Sequence, residues 1–282
     1  MHNNLVDQLI DLAVAEDIGD GDHTSLACIP SAAKGSAKLI IKDEGILAGV
    51  DIALKVFDKI DPSLKVEVFL ADGAAIFPGD EAFVVEGYVR SILQAERLVL
   101  NFMQRMSGIA TVAHTYASKL KGLKTKILDT RKTTPGLRLI EKLAVKTGGG
   151  CNHRTGLYDM ILIKDNHIDF AGGIGKAIEA VHDYLTNNML DLKIEIEART
   201  LDDIGEILKT GKIHRIMLDN FSLHDTSLAL EMIKGRYETE SSGRITLENL
   251  RDYAECGVDY ISVGALTHQI KSLDMSLKAC DY

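Results

Sequence analysis

The feature that most constrains this chain is the even spacing of short apolar runs in its second half. Runs that read as strands begin at Leu192, Arg215, Tyr237 and Tyr260, so successive starts lie 23, 22 and 23 residues apart. Amphipathic stretches with helical spacing lie between and beside them, at 173–185, 201–209, 223–233 and 247–255. Thr125–Leu128 and Met160–Ile163 extend the series upstream, making six strands. Such alternation predicts a parallel sheet, because parallel neighbours need a crossover and a helix is the usual one. The even period favours a barrel over a doubly wound sheet, and six strands leave that barrel incomplete. No proline lies in the last 147 residues (282 minus 135), so none breaks these elements.

The first half has a different texture. A helix is expected over 5–16, with Leu5, Leu9, Leu12 and Ala13 on one face. The segment Asp17–Thr24 reads as a turn. Its aspartates lack the closing Glu of a calcium loop, so loop and capping roles are expected. Residues 36–90 read as short strands, at 37–41, 64–68 and 82–85, punctuated by Gly45, Gly49, Gly73, Gly79 and Gly87. The hairpin signature around Gly73 and Pro78-Gly79-Asp80 is similar to that of lipoyl carriers, but no carrier lysine follows it. From 91 the pattern turns helical through Leu93, Leu98, Leu100 and Met103, and a domain boundary is expected near there.

Composition narrows the function classes. Hydrophobic residues make up 46% and charged residues 26%, enough apolar content to fill a core. The net charge of −9 argues against general nucleic-acid binding. Cys28, Cys151, Cys256 and Cys280 show no metal-ligand or redox-pair spacing, which suits a reducing cytoplasm. Asp7 and Asp11 interrupt the first apolar stretch, unlike a signal peptide, and no apolar run is long enough for a membrane helix.

Within this acidic chain, residues 121–154 carry nine basic and two acidic side chains, a local charge of +7 (9 minus 2). A basic pocket on an acidic protein suits a small, multiply charged anion. A solvated helix face is the expected place for Lys121, Lys124, Lys142 and Lys146. The strand ends are also polar. They give Asp129-Thr130-Arg131-Lys132, Lys164-Asp165-Asn166-His167, Glu195 and Glu197, Asp219-Asn220, Glu240-Ser241-Ser242-Gly243 and Gly264-Ala265-Leu266-Thr267-His268. In parallel barrels chemistry sits on the loops that follow the strands, so these are the candidate site. By period two, Glu195 and Glu197 share a face of their strand, with Glu195 behind. Asp219 has a second reading as the N-cap of the next helix. Gly148-Gly149-Gly150 is either a linker or a close backbone approach to a ligand.

Assembled, these residues resemble the quinolinate phosphoribosyltransferase family, also called carboxylating nicotinate-nucleotide pyrophosphorylases. The resemblance runs from Glu16-Asp17-Ile18-Gly19-Asp20-Gly21-Asp22 through Glu96-Arg97 and Ser107-Gly108-Ile109-Ala110-Thr111. It continues through Asp129-Thr130-Arg131-Lys132-Thr133-Thr134-Pro135-Gly136, Asn152-His153-Arg154, Leu162-Ile163-Lys164-Asp165-Asn166-His167 and Leu218-Asp219-Asn220, and ends at Ser262-Val263-Gly264-Ala265-Leu266-Thr267-His268. It implies an α/β protein: an N-terminal α/β sandwich at 1–108, then an open, incomplete parallel α/β barrel at 109–270. A C-terminal helical segment at 271–282 is expected to pack back on the first domain.

The resemblance further implies transfer of phosphoribosyl from phosphoribosyl pyrophosphate to quinolinate with decarboxylation. The products would be nicotinate mononucleotide, pyrophosphate and CO₂, made with Mg²⁺ near Glu197 and Asp219 and with no organic cofactor. Arg131, His153, Arg154 and Lys164 would surround quinolinate, and Arg97 would reach the partner's site in a homodimer with shared sites. The alternative for Arg97 is an ion pair with Glu96 on its own surface. Lys132, Glu197 and Asp219 would face the phosphoribosyl donor as catalytic residues, while Ser242, Gly243, Gly264 and Ala265 would line its phosphate. Arg244 stands where the family usually has a second glycine. Three rivals share parts of this pattern. A pyrophosphorylase-like protein of molybdenum-transport clusters is expected to lack Asn152-His153-Arg154, a Schiff-base aldolase would use Lys164, and a plain anion binder has no need of Glu197 and Asp219.

Overall fold

The computed structural model describes residues 2–280. In chain order the elements begin with α1 (His2–Ile18), α2 (His23–Cys28), β1 (Lys34–Ile41), β2 (Gly45–Ile46), α3 (Val50–Ile60), β3 (Lys65–Val68), β4 (Ala75–Ile76), β5 (Glu81–Tyr88) and α4 (Val89–Lys119). They continue with β6 (Lys126–Leu128), α5 (Arg138–Thr147), β7 (Ile161–Ile163), α6 (Asp165–Ala171), α7 (Ile174–Asn187), β8 (Ile194–Ala198), α8 (Leu201–Thr210), β9 (Arg215–Asp219) and α9 (Leu223–Ile233). The last are β10 (Glu238–Ser242), α10 (Leu250–Cys256), β11 (Tyr260–Ser262), α11 (Ala265–His268) and β12 (Met275–Cys280). The chain divides into two compact units. One comprises the segment up to His114, Thr133–Gly149 and the segment from Leu266 on; the other comprises Thr115–Lys132 and Gly150–Ala265.

The first unit is built on an antiparallel sheet of order β12-β1-β5-β3. Alternation in β1 buries Ala37, Leu39 and Ile41 on one face. Helix α3 lies within the region expected to be all strand. Its buried residues, Val50, Ala53, Val56 and Phe57, recur at three- and four-residue intervals, which only a helix brings to one face. Phe57 meets Phe83 of β5 edge-on at 5.7 Å between ring centres. In the 17–24 segment, Asp22 caps α2 by accepting the Ser25 N–H at 3.0 Å.

Three expectations about organisation change. The C-terminal segment is a strand, not a helix: β12 pairs antiparallel with β1, and Met275 and Leu277 are buried while Lys278 faces out. That two-residue period is the strand signal. Asp281 and Tyr282, the end of the expected helical segment, lie outside the described residues. The boundary expected at 108/109 falls inside the unbroken helix α4, so the change of texture near 91 marks a helix start and not a linker. Thr133–Gly149, expected in the barrel, belongs to the first unit.

The second unit is a six-stranded parallel sheet of order β6-β11-β10-β9-β8-β7. Strands β6 and β7 are its edges, so the α/β barrel is open, as six strands predict. Its interior departs from the usual barrel, where branched apolar side chains fill the layers. Glu195 of β8 and Glu240 of β10 are fully buried. Between them lies Arg215 of β9, its Nη1 3.1 Å from Glu240 Oε2 and 3.9 Å from Glu195 Oε2. Its Nη2 is 3.1 Å from Glu238 Oε2, and its guanidinium sits 4.1 Å from the centre of the Tyr260 ring.

Two outcomes test this architecture. A Cβ at Gly108 of α4 would meet the Lys271 carbonyl oxygen at 2.3 Å and Ser272 Cα at 3.2 Å, both backbone atoms of the segment leading to β12. Gly108→Ala should therefore destabilise the protein by about 1–3 kcal/mol despite its better helix propensity. An unchanged or higher melting temperature would contradict this close approach. The second outcome concerns Glu240, whose carboxyl is pushed from 4.5 up to about 8, first by burial and then by Glu195. Between these two values the folded chain holds a proton that the unfolded chain has lost, so this group lowers stability as pH rises from 4.5 to about 8. Glu240→Gln cannot titrate, so its melting temperature should fall less over that window than the wild type's; parallel curves would refute the assignment.

Candidate active site

The site is organised from one buried carboxylate outward. Asp129 follows β6 and is fully buried. Its Oδ1 accepts the His153 backbone N–H at 2.8 Å, and its Oδ2 accepts the Asn152 amide at 2.6 Å. On the far side, Asp159 accepts the Thr155 and Gly156 N–H groups at 2.7 and 3.0 Å. The Asn152-His153-Arg154 turn is thus fixed at both ends by carboxylates taking backbone donors. A parallel bridge between Leu128 and Cys151 anchors it to the sheet.

Arg154 is 9% exposed, and its Nη1 donates to the Met160 carbonyl at 3.2 Å. Burial, and then the nearby charge of Arg131, hold its pKa below the usual guanidinium range. A buried cation beside a second cation is an arrangement that an anion would stabilise. His153 is almost fully buried. Its Nδ1 accepts the Arg154 N–H at 2.7 Å, and its Nε2 lies 2.8 Å from Glu195 Oε2.

Lys164 follows β7, where its backbone N–H donates to His167 Nδ1 at 2.9 Å. Its Nζ lies 2.7 Å from Glu197 Oε1, and Glu197 Oε2 accepts the Asp165 N–H at 3.3 Å. The residue expected at quinolinate and the residue expected at the donor therefore meet each other. A lysine paired with a carboxylate is a poor imine-forming nucleophile, which disfavours the Schiff-base aldolase reading.

The expected donor end gathers on the loops after β9, β10 and β11. Asp219 and Ser242 are register partners at the ends of β9 and β10, and the Asn220 N–H donates to the Ser242 carbonyl at 2.8 Å. Asp219 does not cap α9; Ser222 does, accepting the Asp225 N–H at 3.1 Å. Gly243 has φ +90°, a left-handed backbone that favours glycine, and it packs against the Asn220 side chain. Arg244, next to it, is exposed and left-handed, with φ 53°. Gly264 and Ala265 follow β11, where Val263 donates its N–H to Leu128 O at 2.9 Å. Lys132 is exposed, and its backbone N–H donates to Thr130 Oγ1 at 3.0 Å.

Other expected members stand in the first unit. Arg97 lies on α4 of the first unit, exposed and without an ion pair among the described residues, Glu96 included. Of the +7 stretch, Arg138, Lys142 and Lys146 stand on α5 of the first unit. Lys142 is 3% exposed, so it is not on a solvated face as expected. Gly148 serves packing: a Cβ there would lie 2.2 Å from the Ala110 carbonyl oxygen.

Two residues inside the sheet, Glu240 and Arg215, escape the sequence reading as members of this network. Glu240 reads as a loop residue because its strand is expected to end at 239, yet β10 runs to Ser242. The alternation Glu238, Glu240, Ser242 was the available signal. Arg215 sits at a strand start, where barrel chemistry is not sought.

With this geometry in place, comparison with known proteins is specific. Residues 22–107 match the family described as the N-terminal domain of quinolinate phosphoribosyl transferase, and residues 109–278 match its C-terminal domain. The chain is 48% identical to a chloroplastic, carboxylating nicotinate-nucleotide pyrophosphorylase of Oryza sativa subsp. japonica, over 96% of this chain and 76% of that protein. It is 40% identical to the carboxylating nicotinate-nucleotide pyrophosphorylase of Mycobacterium leprae (strain TN), over 94% of each. The solved nicotinate-nucleotide pyrophosphorylase of Francisella tularensis superposes with a TM-score of 0.92 at 40% identity, covering 99% of this chain and 97% of that one. Both halves of the chain match in order and over nearly their whole length, so the chain belongs to the quinolinate phosphoribosyltransferase family.

Proposed function

We propose that this protein transfers phosphoribosyl from phosphoribosyl pyrophosphate to the ring nitrogen of quinolinate, with loss of one carboxylate as CO₂. The observation that carries this reading is Arg154, a buried guanidinium held beside Arg131 by an ordered turn. Two adjacent cations match a planar dicarboxylate, because guanidinium forks bind carboxylates in pairs. Lys164 would complete the dicarboxylate end and His153 would back it. The rival relative of molybdenum-transport clusters is disfavoured by the intact Asn152-His153-Arg154 turn.

Glu197 and Asp219 would face the ribose, where leaving-group departure builds positive charge that carboxylates stabilise. Lys132 would neutralise the departing pyrophosphate. Ser242, Gly243, Gly264 and Ala265 would take the 5′-phosphate through backbone N–H groups, and the left-handed Gly243 allows the close approach this needs. The donor set suits Mg²⁺ held largely through water and substrate oxygens. Both oxygens of Glu197 are already engaged, by Lys164 and the Asp165 N–H, whereas among the described residues Asp219 accepts from the Asn220 amide alone, at 2.9 Å. When bound, the ion would neutralise charge on the pyrophosphate. Once alkylated, the pyridinium ring itself is the electron sink for decarboxylation, so the reading requires no organic cofactor.

In this reading the protein works as a homodimer in the cytoplasm, with Arg97 reaching into the partner's site. What supports the dimer is an exposed arginine without an ion pair among the described residues. All four cysteines are free, as a reducing compartment favours. No described helix is long and apolar enough to cross a membrane.

The direct test is quinolinate-dependent formation of nicotinate mononucleotide and CO₂ by purified protein; no product would overturn the proposal. Nicotinate, with one carboxylate, would leave buried cations unpaired. The expected preference for quinolinate is at least about a hundredfold in kcat/KM, and comparable values for the two acids would count against the dicarboxylate pocket. For the dimer, Arg97→Ala and Arg154→Ala proteins should each be nearly inactive. Random subunit exchange should make half the dimers mixed, each with one intact site, restoring roughly a quarter of wild-type activity if the sites are independent. No recovery after verified exchange would show that Arg97 does not serve a partner's site.

A further inference from the structure

Beneath Arg154 lies a buried charged cluster of which the substrate contacts above use only His153. His153, with 6% side-chain exposure, has both ring nitrogens turned to protein groups. Nδ1 accepts the Arg154 N–H at 2.7 Å, while Nε2 lies 2.8 Å from Glu195 Oε2 and 3.5 Å from Glu240 Oε2. Arg215 Nη1 in turn stands 3.1 Å from Glu240 and 3.9 Å from Glu195. Arg215 is itself fixed by Glu238 and by the face of Tyr260. The Ser262 hydroxyl hydrogen-bonds Glu240 from the neighbouring strand.

A metal ion is the first alternative, since ligand atoms of His153, Glu195 and Glu240 all lie within 4.8 Å of one another. Two contacts argue against it. An imidazole that accepts at Nδ1 carries its proton on Nε2, and so has no lone pair there for a metal. Arg215 Nη1 also already occupies Glu240 Oε2, at 3.1 Å. A proton-bearing nitrogen 2.8 Å from Glu195 and 3.5 Å from Glu240 is instead held by close electrostatic contact with the two carboxyl groups.

We propose that Glu240 and Arg215 are positioning residues for the dicarboxylate pocket, acting through Glu195 and His153 on Arg154. The proposal rests on the assignment of Arg154 to quinolinate. The chain of contacts is continuous. Arg215 orders the two glutamates, the glutamates hold the imidazole edge, and the imidazole pins the backbone N–H of Arg154. Its two glutamates and its arginine stand on β8, β9 and β10, so strands of the sheet carry the contacts that reach the Asn152–Thr155 turn. A guanidinium that must meet a planar carboxylate tolerates little displacement, and misplacement by about 1 Å can cost on the order of a hundredfold.

The experiment is steady-state kinetics on variants with each substrate varied in turn. Glu240→Leu should raise the quinolinate KM by about tenfold or more, while the phosphoribosyl pyrophosphate KM changes less than about twofold. Glu240→Gln keeps the volume and the hydrogen-bonding capacity, and should restore the quinolinate KM most of the way to wild type. Glu240→Leu removes one of the close partners of Arg215 and can compromise folding, so the double variant Glu240→Leu/Arg215→Met accompanies it; replacing a buried ion pair by apolar groups is often neutral for stability. A folded double variant with a raised quinolinate KM supports the proposal. A wild-type quinolinate KM in the double variant, or equal rises for both substrates, overturns it. Arg154→Lys separates the layers of the argument. An unchanged quinolinate KM in Arg154→Lys breaks the underlying assignment and the proposal with it. A raised value there, with a wild-type value in the double variant, breaks the positioning role alone.

Discussion

A guanidinium shared among three carboxylates occupies the space where a parallel barrel usually packs Val, Ile and Leu. Arg215, Glu195, Glu238 and Glu240 come from three adjacent strands, and the parallel register sets Glu195 beside Arg215 and Arg215 beside Glu238. Removing these groups from water costs several kcal/mol per ion, so the arrangement persists only if every charge finds a close partner. Those partners are present: Tyr260 under the guanidinium, Ser262 on Glu240 and His153 on Glu195. An apolar interior would be the cheaper way to stabilise this sheet. The polar one makes sense as a foundation for charged side chains at the strand ends.

Those strand ends divide by chemistry. The segments after the edge strands β6 and β7 carry Arg131, Arg154 and Lys164, and those after β9, β10 and β11 carry Asp219 and the turns at Gly243 and Gly264. Glu197 links them, because its two oxygens take Lys164 and the Asp165 N–H, while its own strand also holds Glu195 in the interior. Two anionic substrates and one developing positive charge call for opposite fields within a small space. Paired charges achieve this in a low-dielectric setting, where isolated ones would be neutralised.

Much of this was legible in the sequence, and the legible parts share a cause. The strand period survives in sequence because a crossover helix has a fixed minimum length, so parallel strands repeat at near-constant intervals. Polar residues after apolar runs were legible for the same reason: the loops must carry what the strands cannot. The misreadings also have causes. Helix α3 is hidden in a glycine-rich region because its apolar residues, scanned two at a time, imitate strand alternation. The C-terminal strand was missed because a short terminal segment shows its period over only a few residues. Lys142 looked solvated because one sequence cannot tell a charged helix face from a charge folded inward.

The sequence by itself determined the alternating α/β order, the residues at each strand end and the family to which they belong, since these depend on local periodicity and on contiguous motifs. Only the tertiary structure decided which charges meet. Lys164 and Glu197 are 33 residues apart, and Arg215 and Glu240 are 25 apart, yet each pair is joined by a direct contact. Those meetings follow from sheet order and register, which are set by the simultaneous packing of all six strands. No local stretch encodes that packing, because a register slip of one residue would send every one of these side chains to the opposite face.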